Sequence, residues 1–137
     1  MGRTELPSDS LKGIHVLLVE DDADSRDLLE TVLRYCGALV TSAASADEAM
    51  RMLERVKPDV LLTDISMPEH DGYWLIREVR ALPLDRGGAL PAIAITAHGQ
   101  QHGVDRALVA GFQAHMRKPV DPWELARVVA SLAGRKL

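Results

Sequence analysis

Hydrophobic and polar positions alternate along this chain between two kinds of stretch. Short apolar runs cover 14–19, 38–42, 59–63, 92–96 and 113–117. Val60-Leu61-Leu62 and Ala92-Ile93-Ala94-Ile95 are apolar without a break, as strands buried on both faces of a parallel sheet are. Between the runs, apolar residues recur at helical spacing. Leu28, Leu29, Val32, Leu33 and Cys36 share one face of the first predicted helix, and Gly37 follows as its C-terminal cap. The second opens on a capping box, Ser45 with Glu48, and buries Ala49, Leu53 and Val56. The third starts near Asp71 or Gly72 and turns Leu75, Ile76, Val79 and Leu82 inward. The fourth, over about 101–110, carries a weaker stripe of Val104, Leu108 and Val109. The fifth opens at Asp121-Pro122, an N-cap with proline in the first helical position, and buries Leu125, Val128, Val129 and Leu132.

Five strand–helix units in succession predict an α/β fold: a doubly wound parallel sheet with right-handed crossovers and helices on both faces. Residues 14–134 form the expected domain. Residues 1–13, with Pro7, Ser8, Ser10 and Gly13 and no hydrophobic period, read as a flexible tail or linker, and 135–137 as a C-terminal tail. The 137 residues leave no room for a second domain of ordinary size, and an apolar fraction of 47% suits a single core. The net charge of −4 argues against direct nucleic-acid binding, which calls for a basic patch. No stretch approaches the ~18–20 apolar residues of a membrane span, and the first residues lack the pattern of a secretion signal, so the expected location is cytoplasmic. Cys36, the single cysteine, is read as a small buried hydrophobe.

In such sheets the ligand site lies beyond the carboxyl ends of the strands. The first strand ends in Glu20-Asp21-Asp22, the third in Asp64-Ile65-Ser66, the fourth in Thr96-Ala97 and the fifth in Lys118-Pro119. Carboxylates brought this close repel one another and must take up protons or a cation. An all-oxygen donor set without His or Cys favours Mg²⁺ or Mn²⁺ over zinc. An Asp carboxylate beside such a cation can attack phosphorus and form an acyl phosphate. Lys118 would pair with one phosphate oxygen as a compact charge, and the Thr96 hydroxyl would donate to another.

These residues carry a resemblance. Val19-Glu20-Asp21-Asp22, Asp64-Ile65-Ser66-Met67-Pro68 with Asp71-Gly72, Thr96-Ala97 and Lys118-Pro119 occur in the order and at the strand ends of the response-regulator receiver domains of two-component signalling. The resemblance covers about 14–133. It implies a flavodoxin-like (βα)5 sheet of strand order 2-1-3-4-5. It makes Asp64 the phospho-acceptor and Glu20 and Asp21, with Asp64 and the backbone carbonyl of Ser66, the Mg²⁺ ligands. Thr96 becomes the switch hydroxyl and Lys118 the phosphate-pairing lysine. Asp22 is left as a helix-start residue, while Met67-Pro68 and Asp71-Gly72 shape the loop after the acceptor. His115 stands where the family carries its aromatic switch residue; it reads either as a modified switch or as a half-exposed strand histidine. Ser66 and His98 occupy positions that tune the lifetime of the acyl phosphate. The loop between Pro83 and Pro91 is longer than in compact members, and Gly87-Gly88 suggests mobility there.

The implied function is that of a signalling domain, not an enzyme of independent substrates. It would take a phosphoryl group from a histidine kinase or histidine phosphotransfer protein. It would then act on a downstream protein partner or linked domain through the face made by the fourth helix, fifth strand and fifth helix, as a monomer or weak dimer. The stretch from Leu90 to Ala97 resembles receivers attached to hybrid histidine kinases, which leans toward a receiver linked to a longer chain. A haloacid-dehalogenase-type phosphatase also uses a strand-end Asp and Mg²⁺, but needs a second Asp where this chain has Ser66. A flavodoxin-like cofactor binder needs a phosphate loop where Glu20-Asp21-Asp22 would repel phosphate. A receiver-like chain that only binds partners is disfavoured by the intact acidic pair, acceptor, threonine and lysine. Tyr73 and Trp74 divide into one residue packed on the sheet and one at its solvent edge. Arg77, Arg80 and Arg86 read as a solvated helix face and loop, and Trp123 as either a partner surface or a shield for the core edge.

Overall fold

A computed structural model describes residues 8–97 and 103–134. The elements follow in strict alternation: β1 (His15–Val19), α1 (Ala23–Tyr35), β2 (Leu39–Ala43), α2 (Ala46–Leu53), β3 (Val60–Asp64), α3 (Gly72–Arg80), β4 (Ala92–Thr96), α4 (Gly103–Ala110), β5 (Ala114–Arg117) and α5 (Pro122–Leu132). The strands form one parallel sheet in the order β2-β1-β3-β4-β5, so the flavodoxin-like topology holds. The order reverses beside β1, and the crevice at such a reversal is where ligands bind.

Strand alternation divides the interior. Val16, Leu18, Val60, Leu62, Ile93, Ile95 and Met116 face α1 and α5, while Leu17, Val19, Leu61, Ala92 and Ala94 face α2, α3 and α4. The helix starts are set by short polar side chains, as their sequence signatures indicate. Asp22, Ser45, Asp71 and Asp121 accept hydrogen bonds from the backbone N–H groups of Ser25, Glu48, Trp74 and Trp123. Gly37, at φ 97°, closes α1 in the left-handed conformation that glycine adopts without strain.

Several helix faces differ from their hydrophobic pattern. Leu28 is 65% exposed, because the stripe that reaches the sheet runs through Leu29, Leu33 and Cys36, with Val32 at its side. Leu53 and Val56 are only partly buried, since α2 ends at Leu53 and small Ala46 and Ala49 make the close contact. On α4, Leu108 and Val109 point outward, Val109 at 90% exposure, and Ala107 packs inward instead. The expected start of α4 at Gln101 and the side chain of Val104 lie outside the described residues. Leu11, placed in the tail by the sequence pattern, is fully buried, and its N–H donates to the Cys36 carbonyl at 2.8 Å. Packing therefore begins before Ile14. Cys36 is buried as expected, which pushes its thiol pKa up.

In the loop after α3, Gly88 is a point of close backbone approach. A Cβ on Gly88 would lie 2.2 Å from the Leu82 carbonyl oxygen. Arg80 likewise is no solvated arginine. Its guanidinium donates to the carbonyls of Gly111 and Gly88 and to Gln113 Oε1, tying α3 to the turns on either side of β4. Burial lowers its pKa, but four hydrogen bonds occupy the donor fork. Arg80→Lys, which cannot reproduce that fork, is expected to lower unfolding free energy by about 2 kcal/mol in urea denaturation.

Candidate functional site

The carboxyl ends of β1, β3, β4 and β5 meet on one rim, and the side chains there follow from strand register. Asp64 is the last residue of β3, opposite Ile95 of β4, which puts Thr96 one step beyond it on the neighbouring strand. Thr96 in turn pairs with Arg117, which leaves Lys118 just past the end of β5. Glu20 follows β1 directly and is held there by its N–H, which donates to the Ala43 carbonyl at 3.0 Å.

Glu20, Asp21 and Asp64 each offer a carboxylate oxygen within 4.8 Å of the others. Glu20 and Asp64 are buried and Asp21 faces solvent. The Lys118 ammonium bridges the buried pair, 3.0 Å from Asp64 Oδ2 and 3.1 Å from Glu20 Oε1. The Ser66 N–H donates to Asp64 Oδ1 at 3.2 Å, which aims the other oxygen at the lysine. Thr96 is buried, and its hydroxyl donates to the Met116 carbonyl at 3.4 Å, near the limit of a hydrogen bond. His115 lies half-buried on β5 opposite Ala94. Strand alternation puts it on the same sheet face as Thr96, the one α4 covers. His98 lies outside the described residues. The Asp22 side chain caps α1, as expected of a helix-start residue, while its N–H donates to Glu20 Oε2 at 3.2 Å.

The electrostatics follow from crowding. Burial, with the Asp64 charge beside it, pushes the Glu20 carboxyl up from 4.5 to about 7. Burial alone would lower Lys118, but its bonds to Asp64 and Glu20 outweigh that and raise it. One lysine does not neutralise three carboxylates. The donor set of three carboxylates, with no His or Cys joining it among the described residues, suits a hard divalent cation such as Mg²⁺. The sign of the pH response is fixed by the raised Glu20. Between 4.5 and about 7 the folded domain keeps a proton there that the unfolded chain releases. The stability this contributes is complete below 4.5 and is lost as pH rises through 7. A cation and that proton compete for the same oxygens. Mg²⁺ affinity, followed by calorimetry, is therefore expected to fall by up to about tenfold per pH unit below 7.

Residues that the sequence reading did not single out complete the surroundings. Arg26 donates from Nη1 to the Glu20 carbonyl at 2.8 Å, fixing the turn into α1. The Arg106 guanidinium of α4 lies 3.9 Å above the ring of buried Tyr73, while its neighbour Trp74 sits at the solvent edge, stacked on His70. A single arginine or histidine in a helix or loop carries no signal of such a contact. Only the spacing of Tyr73 and Trp74 at the start of α3 hinted that one ring would point in and the other out.

Comparison with known proteins agrees with this geometry. Residues 16–130 match the family model of the response regulator receiver domain. An "uncharacterized 14.6 kDa protein in sodA1 3'region" of Leptolyngbya boryana is 48% identical over 120 residues, covering 88% of this chain and 90% of that protein. Response regulator SaeR of Staphylococcus aureus is 35% identical over 121 residues; 88% of this chain aligns with only 51% of SaeR. Among solved structures, the receiver domain of sensor histidine kinase PA1611 from Pseudomonas aeruginosa is 36% identical with a TM-score of 0.80. The match covers 89% of this chain and 98% of that one, and a magnesium ion is coordinated in its active site cleft. The signal receiver domain of a histidine kinase from Syntrophus aciditrophicus is 30% identical with a TM-score of 0.81, over 89% and 91% of the two chains. Among the described residues no helix is long and apolar enough to cross a membrane. By sequence, topology and the composition of its acidic rim, the chain belongs to the response regulator receiver domain family.

Proposed function

We propose that this domain takes a phosphoryl group onto Asp64, in a Mg²⁺-dependent reaction, from the phosphohistidine of a histidine kinase or phosphotransfer protein. The observation that carries the proposal is the bridge of Lys118 to Asp64 Oδ2 and Glu20 Oε1 within the carboxylate cluster. Three carboxylates and an ammonium meeting at one point support a reading in which Asp64 is the nucleophile and its neighbours the metal ligands. Asp64, Glu20, Asp21 and the Ser66 carbonyl would hold the cation, which when bound neutralises the cluster and the incoming phosphoryl oxygens. The Asp64 oxygen then attacks phosphorus; a P–O bond forms as the P–N bond to the donor imidazole breaks, and the imidazole leaves with a proton. Lys118 turns from the carboxylates to a phosphoryl oxygen. Manganese, with the same preference for oxygen, would serve in place of magnesium.

Read-out follows from the weakness of one hydrogen bond. The Thr96 hydroxyl gives up a 3.4 Å bond to the Met116 carbonyl for a charge-assisted one to the phosphoryl group. That movement frees space on the sheet face shared with His115, whose ring follows, and the surface of α4, β5 and α5 changes for a partner protein or a linked domain. Two of the structural relatives are receivers of histidine kinases, which supports a kinase-linked setting. The test is to incubate the protein with acetyl phosphate with and without Mg²⁺ and weigh it by mass spectrometry. One added phosphoryl group, in the presence of Mg²⁺ only, is the expected result. No addition from acetyl phosphate, or addition at a residue other than Asp64, would overturn the reading.

A further inference from the structure

His70 has no part in the chemistry above, yet it joins three elements. Its ring lies flat on that of Trp74, 3.9 Å between centroids and 12° from parallel. Its Nε2 stands 3.9 Å from Asp47 Oδ1. One side chain thus links the first turn of α2, the loop after β3 and the first turn of α3. The residue before it, Glu69, has φ 66°, a left-handed conformation that costs an L side chain roughly 1 kcal/mol or more and persists only where neighbours hold it. This is the loop that begins at Ser66, whose N–H already aims Asp64.

Acidic and aromatic groups surround the ring. Asp47 faces it from α2. Glu69 and Asp71 flank it in the loop, although Asp71 is occupied as the cap of α3, and Glu48 turns away to the Ala44 N–H. From α3 it meets the π face of Trp74, which attracts a cation. The positive N-terminal end of α2 opposes. A neutral ring keeps the stack; a charged ring gains Asp47 and a stronger stack. We infer that His70 is a positioning residue that, when protonated, tightens the loop after β3 and so strengthens Mg²⁺ binding through the Ser66 carbonyl. This rests on the ligand role of Ser66 proposed above. Its consequence runs against Glu20: acidification weakens the metal site through the carboxylate and strengthens it through the histidine.

Calorimetric Mg²⁺ titrations at pH 8 and pH 6 separate the two. His70→Phe keeps the stack and loses the charge, while His70→Arg keeps a planar cation at every pH. Wild type and His70→Phe are expected to bind alike at pH 8. At pH 6 wild type should bind about threefold tighter than His70→Phe, the size expected of an exposed ion pair with a cation–π contact. His70→Arg should hold the same advantage at both pH values. A wild-type to His70→Phe ratio that does not change with pH overturns the inference. If no protein binds Mg²⁺, wild type included, it is the acceptor-site reading that has failed. Trp74 emission then reports on His70 alone. In a Trp123→Phe background, acidification should quench it, and His70→Phe should abolish the quenching; emission insensitive to pH counts against the inference.

Discussion

Asp64→Asn is expected to take up no phosphoryl group from acetyl phosphate and Mg²⁺, while folding at least as well as the wild type. The amide is close in shape to the carboxylate, can still accept the Ser66 N–H, and leaves Lys118 its bond to Glu20. It lacks the anionic oxygen that attacks phosphorus. The substitution also removes one of three crowded carboxylates. The Asp64 charge is second only to burial in raising Glu20, so Glu20 should titrate lower in the variant. Without metal, the variant should therefore be more stable at neutral pH by about 1 kcal/mol, read by urea denaturation. With Mg²⁺ the order should reverse, because a ligand that binds only the folded state stabilises it by RT ln(1 + [L]/Kd), and the variant binds it more weakly. Phosphorylation of Asp64→Asn at the wild-type rate would refute the acceptor assignment. A destabilised metal-free variant would refute the account of the cluster as mutually repelling.

The second large effect is expected at Gly72, which touches no phosphate and carries no charge. Its N–H donates to the Ile65 carbonyl at 2.9 Å, so α3 begins against the end of β3. A Cβ there would lie 2.8 Å from the Asp64 carbonyl oxygen, from Ile65 Cα and from Ile65 Cδ1. Two of those atoms are backbone and cannot swing aside. Gly72→Ala must push α3 away from the strand that carries the acceptor, at about 3 kcal/mol of stability. Because the displaced atoms belong to Asp64 and its neighbour, the phosphorylation rate should fall as well, even in molecules that remain folded. Urea denaturation together with phosphate uptake per folded molecule measures both. Stability within 0.5 kcal/mol of wild type, an ordinary surface value, would show that the close approach is not a real constraint.

The order of elements and the residues of the site were legible in the sequence because both rest on local rules. Uninterrupted runs such as Val60-Leu61-Leu62 announce buried parallel strands, and Asp22, Ser45, Asp71 and Asp121 each cap the helix that follows them. Strand ends in this fold point at one rim, so Glu20, Asp21, Asp64, Thr96 and Lys118 could be gathered before any coordinate was known. Tertiary structure decided what depends on partners distant in the chain. Leu28, Leu108 and Val109 satisfy a helical stripe, yet each helix meets the sheet along only part of its circumference, and burial goes to whichever residues lie on that line. Arg80 looks like any surface arginine until Gly88, Gly111 and Gln113 close around it, and Leu11 looks like tail until the Cys36 carbonyl receives its N–H. The same holds within the site. Sequence named Lys118 as a partner for phosphate. Only the folded arrangement shows its ammonium already bridging Asp64 and Glu20, because the distance between chain segments, not their composition, sets which charges meet.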